Sequence, residues 1–226
     1  MLRILPRFLL LVVALFVALA MPVHGQPALP TGRALEDLFG IILRDARWPR
    51  ERASAIPVCW EDYSPSHAAF REITRQAVRD TWERHSRVRF VGWEACKPGN
   101  VDVRIRVADT NPGTAAVGRY LAGRPQGVIL NFSFVQFRPS CAAMRVECIR
   151  SIAVHEFGHV LGLTHEAHSS GAPGWCQAEG TGTRGDFEVT RYDPHSVMNS
   201  CNDDWNGNGQ LSELDIQTVQ AIYEAP

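Results

Sequence analysis

The segment His155-Glu156-Phe157-Gly158-His159-Val160-Leu161-Gly162-Leu163-Thr164-His165 constrains this chain more than any other. Its first two histidines stand at i and i+4, neighbours on one face of a helix. The residues leading into it, Ile149 to Val154, are mostly apolar and suit a buried helix. Gly162 supplies a residue that takes positive φ at no steric cost, the common way to end a helix. The chain then turns and returns His165 toward His155 and His159. A fold that contains this segment must bury a helix and bring its exit loop back beside it.

Three imidazoles converging in this way form a metal site. His155, His159 and His165 supply three protein ligands, which leaves a fourth position open; that pattern marks a catalytic rather than a structural zinc site. Glu156, beside the first ligand, is placed to hold a zinc-bound water as general base and not to bind the metal. An HExxH match alone occurs by chance in helices; the spacing of Gly162 and His165 argues against chance here. The chemistry implied is metal-assisted hydrolysis, with the water pKa lowered toward roughly 7 and the carbonyl polarised.

These residues resemble the long zinc signature HExxHxxGxxH of the metzincin metallopeptidases. That family carries a methionine turn beneath the metal, and Ser196-Val197-Met198, with Met198 33 residues after His165, looks like it. The preceding Tyr192-Asp193-Pro194 also resembles family sequences. The pair His165-Glu166 is similar to the astacin group. The run Leu211-Ser212-Glu213-Leu214-Asp215-Ile216 through Tyr223 is closer to the matrixin group and related bacterial enzymes. The resemblance covers residues 55–226. It implies a secreted zinc-dependent endopeptidase acting on polypeptides, with one catalytic zinc ion. The implied fold class is α/β (α+β): a metzincin-like twisted mixed sheet with two long helices, plus an irregular C-terminal lobe ending in a helix. By the same resemblance Thr114 to Tyr120 is either the edge strand above the cleft, able to bind an extended peptide, or an ordinary glycine-rich loop.

There are departures. Astacins carry a tyrosine two residues after the turn methionine, where this chain has Ser200; its role is vacant or passes to another residue such as Tyr192. Residues 26–54 hold no cysteine, so a matrixin-type cysteine switch is absent, and latency would need a carboxylate such as Asp37 or Asp45.

At the N-terminus, Arg3 and Arg7 precede an apolar run of 14 residues, Phe8 to Met21. A membrane-spanning helix needs roughly 20. Val23-His24-Gly25 then gives a cleavage site, so residues 1–25 read as a secretory signal, with an uncleaved anchor as the alternative. Residues 26–54 read as an N-terminal arm or short pro-segment, and 55–226 as the catalytic domain. Export to the extracellular space, or to the periplasm of a Gram-negative cell, agrees with the six cysteines, all beyond the signal. Pairing of chain neighbours is expected: Cys59–Cys96, Cys141–Cys148 and Cys176–Cys201. Net charge is −1, which gives no electrostatic case for nucleic acid or for an anionic membrane. No stable membrane association is expected after signal removal.

Periodicity places a buried strand at 55–60, an amphipathic helix at 66–86 and a strand at 88–93. Val101, Val103, Ile105 and Val107 alternate with polar residues, the mark of a half-exposed strand. A further strand is expected at 128–132, a helix at 145–163 and a last helix at 211–223 opened by Ser212. The stretch 164–201 is rich in Gly, Ser, Thr and Pro and reads as a long irregular loop.

Asp204, Asn206, Asn208, Gly209, Ser212 and Asp215 match the spacing of a calcium loop, with Asp in place of the usual last Glu, so Ca2+ is a second candidate ion. Ser212 as a helix start competes with that reading. Asn131-Phe132-Ser133 is a glycosylation sequon inside an expected strand. His67, His85, His168 and His195 read as surface or structural. Two rivals remain: a secreted binding module that kept zinc but lost catalysis, against which Glu156 speaks, and a calcium-dependent adhesion protein.

Overall fold

The computed structural model describes residues 41–201 and 205–226. In chain order the elements are β1 (Ile41–Ile42), α1 (Arg50–Ala53), β2 (Ile56–Trp60) and α2 (Ala68–Val78), then β3 (Phe90–Ala95), β4 (Val103–Val107), β5 (Gly113–Thr114) and β6 (Val128–Leu130). After them come α3 (Arg145–Val160), α4 (Gly174–Glu179), β7 (Phe187–Glu188) and α5 (Glu213–Tyr223). The fold class expected from the sequence holds: a mixed sheet with two long helices against it.

The sheet runs β3-β2-β4-β6-β5. Its first four strands are parallel, and β5 closes the end antiparallel to β6. The alternation read in β4 is real: Val103 and Ile105 are buried while Arg106 is exposed. The expected edge strand is shorter and earlier than Thr114 to Tyr120. Only Gly113 and Thr114 pair with β6, and the chain then turns through a 3-10 turn at Gly118–Leu121. Gly118 fixes that turn: its φ is +55, and a Cβ there would overlap the backbone carbonyl of Ala46.

The expected helix 66–86 is α2, continued by a π turn at Arg79–Glu83. Trp82 on that turn is fully buried and donates its indole N–H to Val154 O (2.8 Å), tying α2 to α3. Phe157 of α3 stacks on Trp93 with ring centroids 5.4 Å apart, joining the helix to the sheet. The stretch 164–201 is irregular as expected, with only α4, β7 and a 3-10 turn. All three expected disulfides are present, and among the described residues no cysteine is free.

Residues 41–54, read from sequence as part of an arm or pro-segment, are built into the core. β1 pairs with β7. Trp48 is 5% exposed and donates its indole N–H to Val160 O at 2.7 Å. Residues 41–54 therefore pack with the unit that follows them, held by apolar burial and backbone pairing. Residues 1–25, read as a secretory signal, and Asp37 lie outside the described residues.

Candidate metal centre and its cleft

α3 is buried from Ser151 through Val160, which agrees with the apolar Ile152, Ala153, Val154, Phe157 and Val160 around the motif. It ends as the glycine implied. Gly162 has φ +97, Gly162 N–H donates to His159 O (3.0 Å) and Leu163 N–H donates to Gly158 O (3.1 Å). This is the Schellman pattern, which satisfies carbonyls left over at a helix end. The turn is gripped from outside by β1: Leu43 N–H donates to Gly162 O (3.1 Å) and Thr164 N–H to Ile41 O (2.9 Å).

His155, His159 and His165 come together, with candidate ligand atoms all within 4.8 Å of one another. Each ring is oriented by its Nδ1. That of His155 faces Val197 O (2.6 Å), that of His159 faces Leu163 O (2.9 Å) and that of His165 faces Thr181 O (2.9 Å). A carbonyl oxygen only accepts, so each Nδ1 carries the proton and each Nε2 presents a lone pair. The His165 Nε2 lies 3.2 Å from that of His155 and 3.1 Å from that of His159. Unprotonated nitrogens at that distance repel unless a cation stands between them. Tetrahedral bonds of about 2.0–2.1 Å to a zinc ion separate ligand nitrogens by about 3.3 Å, so the donor set fits the metal. Burial holds His155 down to about 3 and His159 well below the ordinary histidine value, with neighbouring histidines adding to the shift. Burial also lowers His165. The imidazoles are therefore in the neutral, ligating form.

Glu156 is 5% exposed, and its Oε2 has no hydrogen-bond partner. Burial lifts its carboxyl to about 8. A buried carboxylate oxygen left without a donor marks a group kept for chemistry or for an ion. The cleft that Glu156 shares with the three histidines has a volume of about 500 Å³. Gly113 and Thr114 of β5, Phe137, Arg138, Thr181 and Ser200 help to line it.

Met198 is 1% exposed and lies against α3. A Cβ on Gly158 would overlap Met198 Sδ and stand 3.2 Å from both Met198 Cε and Trp82 Cζ2. The glycine in the motif is thus the socket of the methionine. The turn itself is held by a residue the sequence does not single out for this role. Asp215 accepts from Ser196 Oγ (2.6 Å), Val197 N (2.9 Å) and Ser212 N (2.9 Å). Val197 then offers its carbonyl to His155, so Asp215 supports that imidazole at one remove. Asp215 also closes a capping box with Ser212 at the start of α5. Those bonds occupy two of the positions read as a calcium loop; Asp204 lies outside the described residues. The signal that could have found the box is Ser212 followed three residues on by Asp215, before an apolar helix.

Tyr192 does not take the place left by Ser200. Its hydroxyl accepts from Asn199 Nδ2 (3.1 Å), and it is not part of the cleft lining, whereas Ser200 is. His168 stays outside the triad, its ring 6.3 Å from that of His165. His67 packs edge-on against Phe132, and neither His85 nor His195 lines the cleft. Asp45 lines a separate cavity behind the turn. Asn131 of the sequon is 1% exposed and fully bonded, a state incompatible with a glycan on its amide.

The sequence profile of the dual-action HEIGH metallo-peptidases matches residues 60–223. The chain belongs to that family. This metallopeptidase reads His-Glu-Phe-Gly-His where the family's name spells Ile at the third place; Phe157 there is fully buried against Phe90 and Trp93. Among solved structures it is similar to myroilysin, at 18% identity and TM-score 0.59, over 83% of this chain and 100% of the other. A second myroilysin structure is 16% identical, with TM-score 0.52 over 84% and 91%. High choriolytic enzyme 1, a hatching enzyme zinc-protease from the medaka fish Oryzias latipes, is 18% identical with TM-score 0.51, over 80% and 96%. These likenesses bear on the fold, and with the family profile they bear out the metzincin resemblance. No curated protein sequence matches the chain.

Proposed function

We propose that this metallopeptidase is a secreted zinc-dependent endopeptidase, with zinc held by His155, His159 and His165 and with Glu156 as general base. One observation carries the reading. Three imidazoles locked through Nδ1 turn their Nε2 lone pairs to one point, beside a buried carboxylate oxygen that has no other partner. When bound, zinc supplies Lewis acidity, lowering the pKa of a water and polarising the scissile carbonyl.

The remaining work falls to the chain. Glu156 accepts a proton from the attacking water and passes it to the leaving amine. Burial, which disfavours its charged form, makes it a stronger base than an exposed glutamate. Among the described residues β5 stands last in the sheet order, and Gly113 and Thr114 line the cleft, so its outer edge can receive an extended peptide. Main-chain pairing along such an edge recognises the interior of a polypeptide, which supports endopeptidase action. Secretion is supported by the apolar run at Phe8 to Met21 and by three disulfides, which persist in oxidising compartments.

The test is hydrolysis of a mixed peptide library with and without a zinc chelator, beside Glu156→Gln and His159→Ala. Internal cleavage should need metal. Glu156→Gln should keep stoichiometric zinc and lose turnover, and His159→Ala should lose the zinc. Full activity in Glu156→Gln would falsify the assignment of the base.

A further inference from the structure

One wall of the cleft is organised by two polar side chains that lie outside the metal cluster. Asp109 follows β4. Its Oδ1 accepts from Asn131 Nδ2 (2.9 Å) and Phe137 N (3.4 Å), and its Oδ2 from Val135 N (3.1 Å) and Gln136 N (2.9 Å). Asn131, just past β6, accepts at Oδ1 from Ser133 N (3.0 Å) and Phe134 N (2.9 Å). Its Nδ2 also reaches Thr110 O (3.2 Å). Between them the two side chains take every backbone N–H from Ser133 through Phe137.

The backbone shows what that arrangement enforces. Phe134 and Arg138 hold φ of 56 and 51, a left-handed conformation that non-glycine residues adopt only when their surroundings enforce it. Phe137 and Arg138 are the residues this turn delivers to the cleft. Asn111 to Thr114, which also line the cleft and include β5, follow Asp109 closely in the chain. The far end of the wall is fixed by Cys141 N–H on Arg138 O (2.9 Å) and by the Cys141–Cys148 disulfide onto α3. The histidines, by contrast, are oriented by carbonyls of Leu163, Thr181 and Val197, none of them in this wall. The wall and the histidines share α3 as an anchor, but Asp109 and Asn131 make none of the hydrogen bonds that orient the three rings.

We propose that Asp109 and Asn131 are positioning residues that set substrate affinity and side-chain preference by fixing Phe137 and Arg138 against the edge strand. The proposal rests on the peptidase reading above. Hydrogen bonding from Asn131 holds the Asp109 carboxyl below its ordinary value, so the clamp stays ionised through the neutral range.

The experiment compares the full chain with Asp109→Asn and with the exchanged pair Asp109→Asn/Asn131→Asp. In the single variant the amide keeps one oxygen: with its N–H2 toward Asn131 two N–H2 groups face each other and Phe137 N loses its acceptor, and with its N–H2 toward the loop Val135 N and Gln136 N lose theirs. In the exchanged pair the new amide at position 109 donates to the new carboxylate at position 131 and its oxygen keeps Val135 and Gln136, while the second carboxylate oxygen still accepts from Ser133 and Phe134; only the weaker contacts to Thr110 O and Phe137 N are given up. Four quantities are read: bound zinc, amide hydrogen exchange at residues 133–137, kcat and KM on the best library peptide, and the preference profile. Asp109→Asn should keep zinc, hold kcat within about threefold, raise KM by roughly tenfold or more and flatten the profile. Exchange at 133–137 should speed up by roughly tenfold or more, and the exchanged pair should recover most of both effects. Unchanged KM and profile in a folded Asp109→Asn chain overturn the proposal. So does a joint loss of zinc, kcat and thermal stability, which would make the clamp merely structural, or an exchanged pair no better than the single variant. A wild-type chain that cleaves no peptide overturns the peptidase reading instead; the exchange data identify that case, since they report on the clamp without turnover.

Discussion

Gly158→Ala tests whether the motif glycine exists for the methionine beneath it. In a helix interior alanine is favoured over glycine by about 1 kcal/mol, so propensity alone predicts a more stable protein. Packing predicts the reverse. The added Cβ overlaps Met198 Sδ, and Trp82 Cζ2 at 3.2 Å closes the other side. Neither neighbour has room to retreat: Met198 is 1% exposed and Trp82 is 0% exposed with its indole bonded to Val154 O. Overpacking of this kind costs about 1–3 kcal/mol, so the net change should be a loss of about 0–2 kcal/mol. Displacing Met198 also disturbs Val197, whose carbonyl orients His155, so zinc affinity should fall as well. The assay is chemical unfolding of the zinc-free chain, with zinc competition alongside, for Gly158→Ala, Met198→Ala and the pair. Met198→Ala should cost about 2–5 kcal/mol by leaving a cavity. The pair should cost less than the sum by about 1–3 kcal/mol, since the new methyl occupies vacated space. Stabilisation of Gly158→Ala by about 1 kcal/mol, or strict additivity in the cycle, would refute the socket argument.

Other outcomes follow from the same contacts. Removal of everything before Ala55 takes away β1 and Trp48 and should destabilise the fold by more than about 4 kcal/mol relative to the full chain; circular dichroism melts decide this. Asp215→Ala strands buried donors of Ser196, Val197 and Ser212 and should cost about 2–4 kcal/mol, while Asp215→Asn, able to accept the two amides and donate to Ser196, should cost about 1 kcal/mol or less. Burial lifts Asp215 to about 6, above its ordinary value. The fold therefore prefers its protonated form, and this group's contribution to stability falls as pH rises from about 4 to 6. Subtracting the Asp215→Asn pH profile from that of wild type should expose this slope, and a difference independent of pH would count against it.

The metal cluster is legible in the sequence because its geometry is local. Helical spacing of His155 and His159, with Gly162 ending the helix, prescribes the return of His165 within a few residues. Parallel strands are legible for a similar reason, since the alternation of Val103 and Ile105 records which face is buried. What supports the cluster is not legible. Val197 O, Thr181 O and the Asp215 carboxylate act through contacts between residues far apart in the chain, and nothing in their own neighbourhoods encodes the partner. Asp215 reads as a calcium ligand because the same Ser-x-x-Asp spacing serves a loop and a capping box. The N-terminal boundary escapes a reading by pattern because Trp48 and Ile41 belong to no periodic run. Thr114 to Tyr120 reads equally as edge strand or glycine-rich loop because pairing to β6, not composition, selects Gly113 and Thr114.

The C-terminal end of α3 is held at once by segments far apart in the chain. Ile41 and Leu43 bond the glycine turn. Tyr223 donates its hydroxyl to Leu161 O (2.6 Å) and accepts from Trp48 N (3.2 Å). Trp48 and Tyr223 stand 175 residues apart in the chain, and contacts of such sequence separation form late in folding. The turn that leads to His165 therefore gains its outer hydrogen bonds only when α5 docks.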